Sequence, residues 1–329
     1  MRKRNAKRAK HTLAFLLSFF VFVLFGVVIF YEVLSLEEKN QNEIKELPTI
    51  KISLLNTSLN EIHENGKEIK YGGNNLEISY DGVTKSYDNV EMKGRGNFSW
   101  HADKKSYQIK FSEKTNLFGM GKRRKWALIA NSADNSLMRN DLAYFMSDIL
   151  WGKYRAEGKF VNLLVDDEDG VKDLGVYYLV KTMEIDETVI DLKDEMAAIV
   201  EMDNAYCKEE DLWWEADDGN CFTVKDVATE GKEAEVMEDF IVAYNDFLEA
   251  LAKQDFNKMN EFMDMGSLAK YFLFSEFTGN PDAYITSWYF YKNGINDKIH
   301  AGIVWDFDAA FGIETGETGK TVFMIQRCL

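Results

Sequence analysis

Lys104-Lys105-Ser106-Tyr107-Gln108-Ile109-Lys110-Phe111 is the stretch from which the fold is read. It alternates with the two-residue period of a strand, setting Lys105 and Tyr107 on one face and Lys104, Ser106 and Gln108 on the other. On either side, residues 50–55, 76–80, 90–93, 126–130, 160–165 and 175–181 are likewise short and β-like. Asn65-Gly66, Gly72-Gly73, Asp81-Gly82 and Asp169-Gly170 punctuate them as turns. One helix is predicted over 136–150, with Leu137, Leu142, Phe145, Met146 and Ile149 on roughly one face and Asp134 or Asn135 as its cap. Beyond Gly231 the pattern turns helical, over 235–252 and 267–277. A β-rich amino-terminal half followed by a helical carboxyl-terminal half predicts an α+β, two-lobed body.

The two ends add an address to this frame. Residues 12–31 carry no charged side chain, a length sufficient for a transmembrane helix, and Arg2, Lys3, Arg4, Lys7, Arg8 and Lys10 precede them. The expected organisation is a cytoplasmic basic tail over 1–11, a signal anchor over 12–31, a polar stalk over 32–47 and a folded domain over 48–329 outside the membrane. A cleaved signal peptide is the competing reading. It calls for a shorter apolar run and a small-x-small cleavage site, where this chain continues Tyr31-Glu32-Val33-Leu34. The whole chain carries a net charge of −16, and without its basic tail the remainder is more acidic still. Such a surface disfavours nucleic acid and suits a basic protein partner, although solubility alone also accounts for it.

Three cysteines are too few for a disulfide scaffold and lack the spacing of a zinc site. Cys207 and Cys221 bracket an acidic loop and are placed to form one bridge, which leaves Cys328 over. Four scattered histidines offer no basis for a His-metal cluster or a Ser-His-Asp arrangement.

Candidate chemistry gathers near the carboxyl end. Asn280-Pro281-Asp282 precedes a strand-like Ser287-Trp288-Tyr289-Phe290-Tyr291-Lys292, and Ile303-Val304-Trp305-Asp306-Phe307-Asp308 follows a turn. A hairpin between them brings its two ends together, and hard cations such as Mg²⁺ prefer carboxylate and amide oxygens. Read blandly, the same residues form a turn and cap the segment that follows. In the β-rich half, Lys93-Gly94-Arg95-Gly96-Asn97-Phe98-Ser99-Trp100 is either a phosphate-binding turn or simply a tight turn. Lys105, on the next strand, is either a phosphate clamp or an ordinary edge-strand lysine.

In order along the chain, these motifs resemble the CotH family, the spore-coat-type atypical protein kinases. The resemblance rests on 93–100, on 104–111, on Trp126-Ala127-Leu128-Ile129-Ala130-Asn131 with Ser136-Leu137-Met138-Arg139-Asn140, on 175–184, on Gly279 to Asp282 and on Trp305 to Gly312. It implies a diverged two-lobed protein-kinase-like fold that uses ATP with Mg²⁺ or Mn²⁺ to phosphorylate serine or threonine of secreted or surface proteins. Carried over by position, Lys105 reaches the nucleotide phosphates, with Arg95 and Asn280 beside it. Asp282 orients the acceptor hydroxyl, Asp306 holds the metal and Asp308 is a second ligand. Arg139 and Glu184 lie in family-like motifs without an assigned role, a buried Arg–carboxylate pair being the structural alternative. Neither a Gly-x-Gly-x-x-Gly loop nor a His-Arg-Asp motif is present. The short run after Gly312 leads to the expectation of a domain truncated at its carboxyl end.

Two other function classes compete. A non-catalytic adhesion or envelope-assembly protein would use Trp213-Trp214 and the aromatics of 288–291 on glycans, and a metal-dependent hydrolase would use the same carboxylates.

Overall fold

The computed structural model describes residues 46–151 and 156–312. All seven strand-like stretches of the amino-terminal half are strands: β1 (Thr49–Ser53), β2 (Tyr71–Tyr80), β3 (Val83–Arg95), β4 (Ser106–Asn116), β5 (Lys122–Ile129), β6 (Gly158–Asp167) and β7 (Gly170–Lys181). They follow the order β1-β2-β3-β4-β5-β7-β6, and β6 then pairs in parallel with β1, from Thr49 opposite Asn162 to Ser53 opposite Asp166. That last pairing closes the sheet into a barrel and removes its edges.

Alternation fills the interior. Ile50, Ile52, Leu76, Ile78, Val90, Met92, Tyr107, Ile109, Trp126, Leu128, Leu163 and Leu179 form one buried cluster, joined by Leu59 and Ile62 of α1 (Leu59–Glu64). Asp81 and Gly82 both take positive φ, 53° and 73°, which gives β2 and β3 the two-residue hairpin turn whose twist matches that of the strands.

Helix α2 (Arg139–Trp151) lies between β5 and β6, and the carboxyl-terminal half contains α3 (Glu233–Ala252), α4 (Phe256–Phe262) and α5 (Met265–Thr278). It also contains a second sheet of β8 (Ala197–Met202), β9 (Trp213–Glu215), β10 (Cys221–Val227), β11 (Trp288–Asn293) and β12 (His300–Ala301), in the order β12-β11-β8-β10-β9. Val236, Met237, Phe240, Tyr244 and Phe247 of α3 recur at three- and four-residue spacing and pack with Val200, Phe222 and Phe290 of this sheet. Cys207 and Cys221 are disulfide-bonded, their Cα atoms 6.1 Å apart.

Three expectations are corrected here. The α+β, two-lobed protein-kinase-like architecture gives way to a closed seven-stranded barrel with a separate five-stranded sheet, because β1 finds β6 across more than a hundred residues. The carboxyl-terminal half is not mainly helical, because β8 and β11 pair over a similarly long separation and place a sheet within it. Among the described residues no helix is long and apolar enough to cross a membrane, so the structure gives no support to the single-pass anchor expected over 12–31. The longest of them, α3, carries Glu233, Glu235, Glu238 and Asp239 within its first turns. The expected tail, span, most of the stalk and the residues after Gly312 lie outside the described residues.

Candidate active site

The two acidic segments meet beside α2. At the end of α5, Gly279 adopts φ 59° and ends the helix in the left-handed conformation that glycine tolerates. The buried Asn280 follows, and its side-chain oxygen accepts the Asp282 backbone N–H at 3.2 Å. The Asp282 carbonyl accepts N–H groups of Ile285 and Thr286 at 3.0 and 3.1 Å. The chain then runs through β11 and β12, whose pairing of Phe290 with Ala301 returns it to the same place. The second strand is only two residues long, and Ile303 to Phe311 form a loop beyond the hairpin.

That loop is held in an unusual shape. Ile303, Asp306 and Phe311 adopt φ of 63°, 60° and 59°, and Tyr284 and Ser287 on the facing segment adopt 67° and 53°. Positive φ is costly for residues other than glycine, most of all for a β-branched one, and such strain persists only where surrounding contacts impose it. Here the Phe307 N–H donates to Asn140 Oδ1 at 2.7 Å and the Phe311 N–H to the Thr278 carbonyl at 2.7 Å. The Trp305 ring stacks on Tyr144 at 5.9 Å, and the Arg95 guanidinium lies 5.3 Å from the same ring.

Charge is concentrated around Asp306. Burial, then Asp308 and Asp282, push its carboxyl well above the ordinary range, against the pull of Arg95. Asp308 is raised by burial and by Asp282 and Asp134, and Asp282 by burial. Ser287 Oγ donates to Asp306 Oδ2 at 3.4 Å, and the Asp308 carboxylate accepts its own and the Ala309 backbone N–H. Three mutually repelling carboxylates with one nearby arginine favour the arrival of a cation or a proton.

No group of three or more His, Cys, Asp or Glu side chains among the described residues is gathered closely enough to enclose a metal ion. Mg²⁺ does not require such a cage, since one or two carboxylates commonly hold it while substrate phosphates and water complete its shell. Asp306 and Asp308, with Asp282 close enough to raise both, fit that open arrangement.

A family model described as CotH kinase protein matches residues 92–327, well over half of the chain. The chain belongs to the CotH kinase family. No curated protein matches it.

The CotH motifs divide between this site and the barrel. Arg95 ends β3 and reaches the Trp305–Asp306 corner, with Gln108 Oε1 3.5 Å from its guanidinium. Lys105 lies in the same β3–β4 connection, but its ammonium donates to the Trp100 and Ala102 carbonyls at 2.7 and 3.0 Å and so fixes that loop. The glycines of the CotH segment 93–100 serve packing. A Cβ on Gly94 would lie 2.5 Å from the Trp100 ring, and one on Gly96, at φ 95°, would lie 2.1 Å from Ser99 Oγ. Arg139 pairs with the buried Asp134 at 2.7 Å and Glu184 with the buried Arg123 at 2.7 Å, so each is in an ion pair, though not with the other.

Asn140, Tyr144, Asp134, Glu201 and Tyr289 are the site's neighbours that sequence reasoning did not assign to it. Glu201 is buried on β8, pairs with Lys225 at 2.6 Å and hydrogen-bonds Tyr289 opposite it on β11. Nothing local marks it, because only the β8–β11 pairing brings it beside Asp306. Asn140 carried a signal in its CotH motif, and Asp134 one in the Asp-x-Ser turn preceding α2. Tyr289, Phe290 and Tyr291 are buried, so that aromatic group belongs to the core rather than to a glycan-binding surface.

Proposed function

We propose that this CotH-family chain transfers the γ-phosphoryl group of ATP to a serine or threonine hydroxyl of a protein substrate, in a Mg²⁺-dependent reaction at the Asp282, Asp306 and Asp308 carboxylates. The observation that carries this reading is the convergence of Asp306 and Asp308, on one strained loop, with Asp282 of the facing segment, all three carboxyls raised, in a chain that belongs to a kinase family. Phosphoryl transfer asks a protein mainly for positioning and charge neutralisation, which one cation-binding carboxylate set and one arginine can provide.

Asp306 and Asp308 would hold the cation, with Asn280 supplying an amide oxygen. Mg²⁺, when bound there, offsets the charge of the ATP phosphates. Arg95, already oriented across Trp305, would meet a phosphate oxygen, while Lys105 would act by holding the loop that carries it. Asp282 would orient the acceptor hydroxyl. As that oxygen bonds to the γ-phosphorus and the bond to the bridging oxygen breaks, its proton passes to the Asp282 carboxylate and ADP leaves. A carboxyl raised by burial is better suited to receive that proton than an exposed one. The acidic chain favours a basic acceptor protein.

The test is to incubate the full chain with γ-labelled ATP, Mg²⁺ or Mn²⁺ and a basic acceptor protein. Label is expected in serine or threonine of the acceptor, dependent on the cation and abolished by Asp282→Asn. Free phosphate released without labelled protein would indicate a hydrolase instead, and no cation-dependent turnover of ATP would overturn the proposal.

A further inference from the structure

The stretch from Asn131 to Asn140 takes no direct part in the proposed chemistry, yet it is tied to the carboxylate loop by an unbroken line of buried amides. The Phe307 N–H donates to Asn140 Oδ1 at 2.7 Å. Asn140 Nδ2 donates to Asn131 Oδ1 at 2.9 Å, and Asn131 Nδ2 to the Leu137 carbonyl at 2.8 Å. Only one orientation of the two side-chain amides satisfies every member. A backbone N–H can only donate, so Asn140 turns its oxygen to Phe307 and its amino group to Asn131, which in turn keeps its own amino group for a carbonyl. Asn131, Asn140 and Phe307 are all buried, so each broken link would strand a polar atom away from water.

Two further features make this line a fixed support. Asp134 accepts the Ser136 and Arg139 backbone N–H groups at 2.9 and 2.8 Å and the Arg139 guanidinium at 2.7 Å, which locks the turn entering α2. Four residues after Asn140, and so on the same face of α2, the Tyr144 hydroxyl accepts the Asp306 N–H at 3.4 Å while its ring stacks on Trp305. Two side chains of one helix therefore hold the consecutive backbone N–H groups of Asp306 and Phe307, at the residue whose φ is 60°.

We infer that Asn140 and Tyr144, backed by Asn131, are positioning residues that hold the Asp306 carboxylate in its cation-binding orientation. The inference rests on the proposed Mg²⁺ role of Asp306. It predicts that loss of the Asn140 acceptor lets Asp306 relax from its strained conformation without altering the rest of the fold. Groups that orient a metal ligand typically contribute about 10–100-fold to metal affinity.

Two measurements on the full chain test it, with Asn140→Ala and the milder Tyr144→Phe. In hydrogen exchange, the Phe307 amide should lose protection in Asn140→Ala while the β8 and β11 amides keep theirs. Unchanged protection at Phe307 would overturn the inference, as would a loss shared with both strands. In titrations of Mg²⁺ at fixed ATP, each variant should need about tenfold more cation. Neither should change ATP binding in the absence of Mg²⁺, and neither should add to the effect of Asp306→Asn. Additive losses, or parallel weakening with and without cation, would make the residues merely structural. If the wild-type chain shows no Mg²⁺ response, the proposed function fails, and with it the metal role inferred here; the exchange data then report separately whether the amide line holds the loop.

Discussion

Asp306 combines three properties that rarely coincide in a residue kept for structure alone: positive φ, burial and repulsion from the carboxylates of Asp308, Asp282 and Glu201. Asparagine tolerates the same backbone conformation, so Asp306→Asn removes the charge and leaves the geometry. The folded carboxyl lies above its ordinary value of 3.8, so the folded chain holds the proton more tightly than the unfolded one. Its contribution is therefore most favourable below that ordinary value and declines as pH rises through the folded value. Asp306→Asn should accordingly raise the melting temperature at about pH 8 and have little effect at about pH 4, each kcal/mol recovered reading as roughly 2–4 °C. Equal destabilisation at both pH values would identify Asp306 as a structural cap. The two cations of the β3–β4 connection should also separate. Arg95→Ala should weaken nucleotide binding about tenfold with little loss of stability, since it faces the carboxylates. Lys105→Ala should lower stability by about 1–2 kcal/mol, since it strands two carbonyls, and this is read from denaturant unfolding beside a nucleotide titration.

At the scale of elements, the motif segments act mostly as supports. Gly94 leaves room for the Trp100 ring over β3, so Gly94→Ala should cost about 1–3 kcal/mol through overpacking, measured by chemical denaturation. A phosphate cradle would show little change in stability and a loss of nucleotide binding instead. Helix α2 shows where the sequence could and could not be read. Its existence follows from local pattern, but the face chosen by hydrophobicity is only partly the buried one: Met146 is buried, whereas Leu142 and Ile149 are 42% and 38% exposed and Asn140, Tyr144 and Ser147 are buried in their place. The buried side is polar because it grips the Asp306–Phe307 backbone, a demand made by a segment more than a hundred and sixty residues away. Asp134 and Arg139, by contrast, satisfy each other locally, and the Asp-x-Ser turn announced the cap.

Over the whole molecule, every barrel strand was marked by its own short β-like stretch, whereas closure was not, because the parallel β1–β6 pairing has no local signature. The same holds for the sheet that places Glu201 behind the carboxylates: β8 reads as an apolar run, and its partner β11 lies far along the chain. Asp282, Asp306 and Asp308 were recognisable as residues, and their mutual repulsion emerged only from the fold. Phosphoryl transfer at this site requires that the repulsion mark a cation site. Thermal melting of the full-length wild type and Asp306→Asn, each with and without ATP and Mg²⁺, tests this most directly. The wild type should be stabilised by Mg²⁺ and ATP together more than by either alone, and the variant should start at least as stable but lose that joint increment. A destabilised Asp306→Asn that keeps the full joint response would contradict the cation site and the phosphoryl transfer built on it.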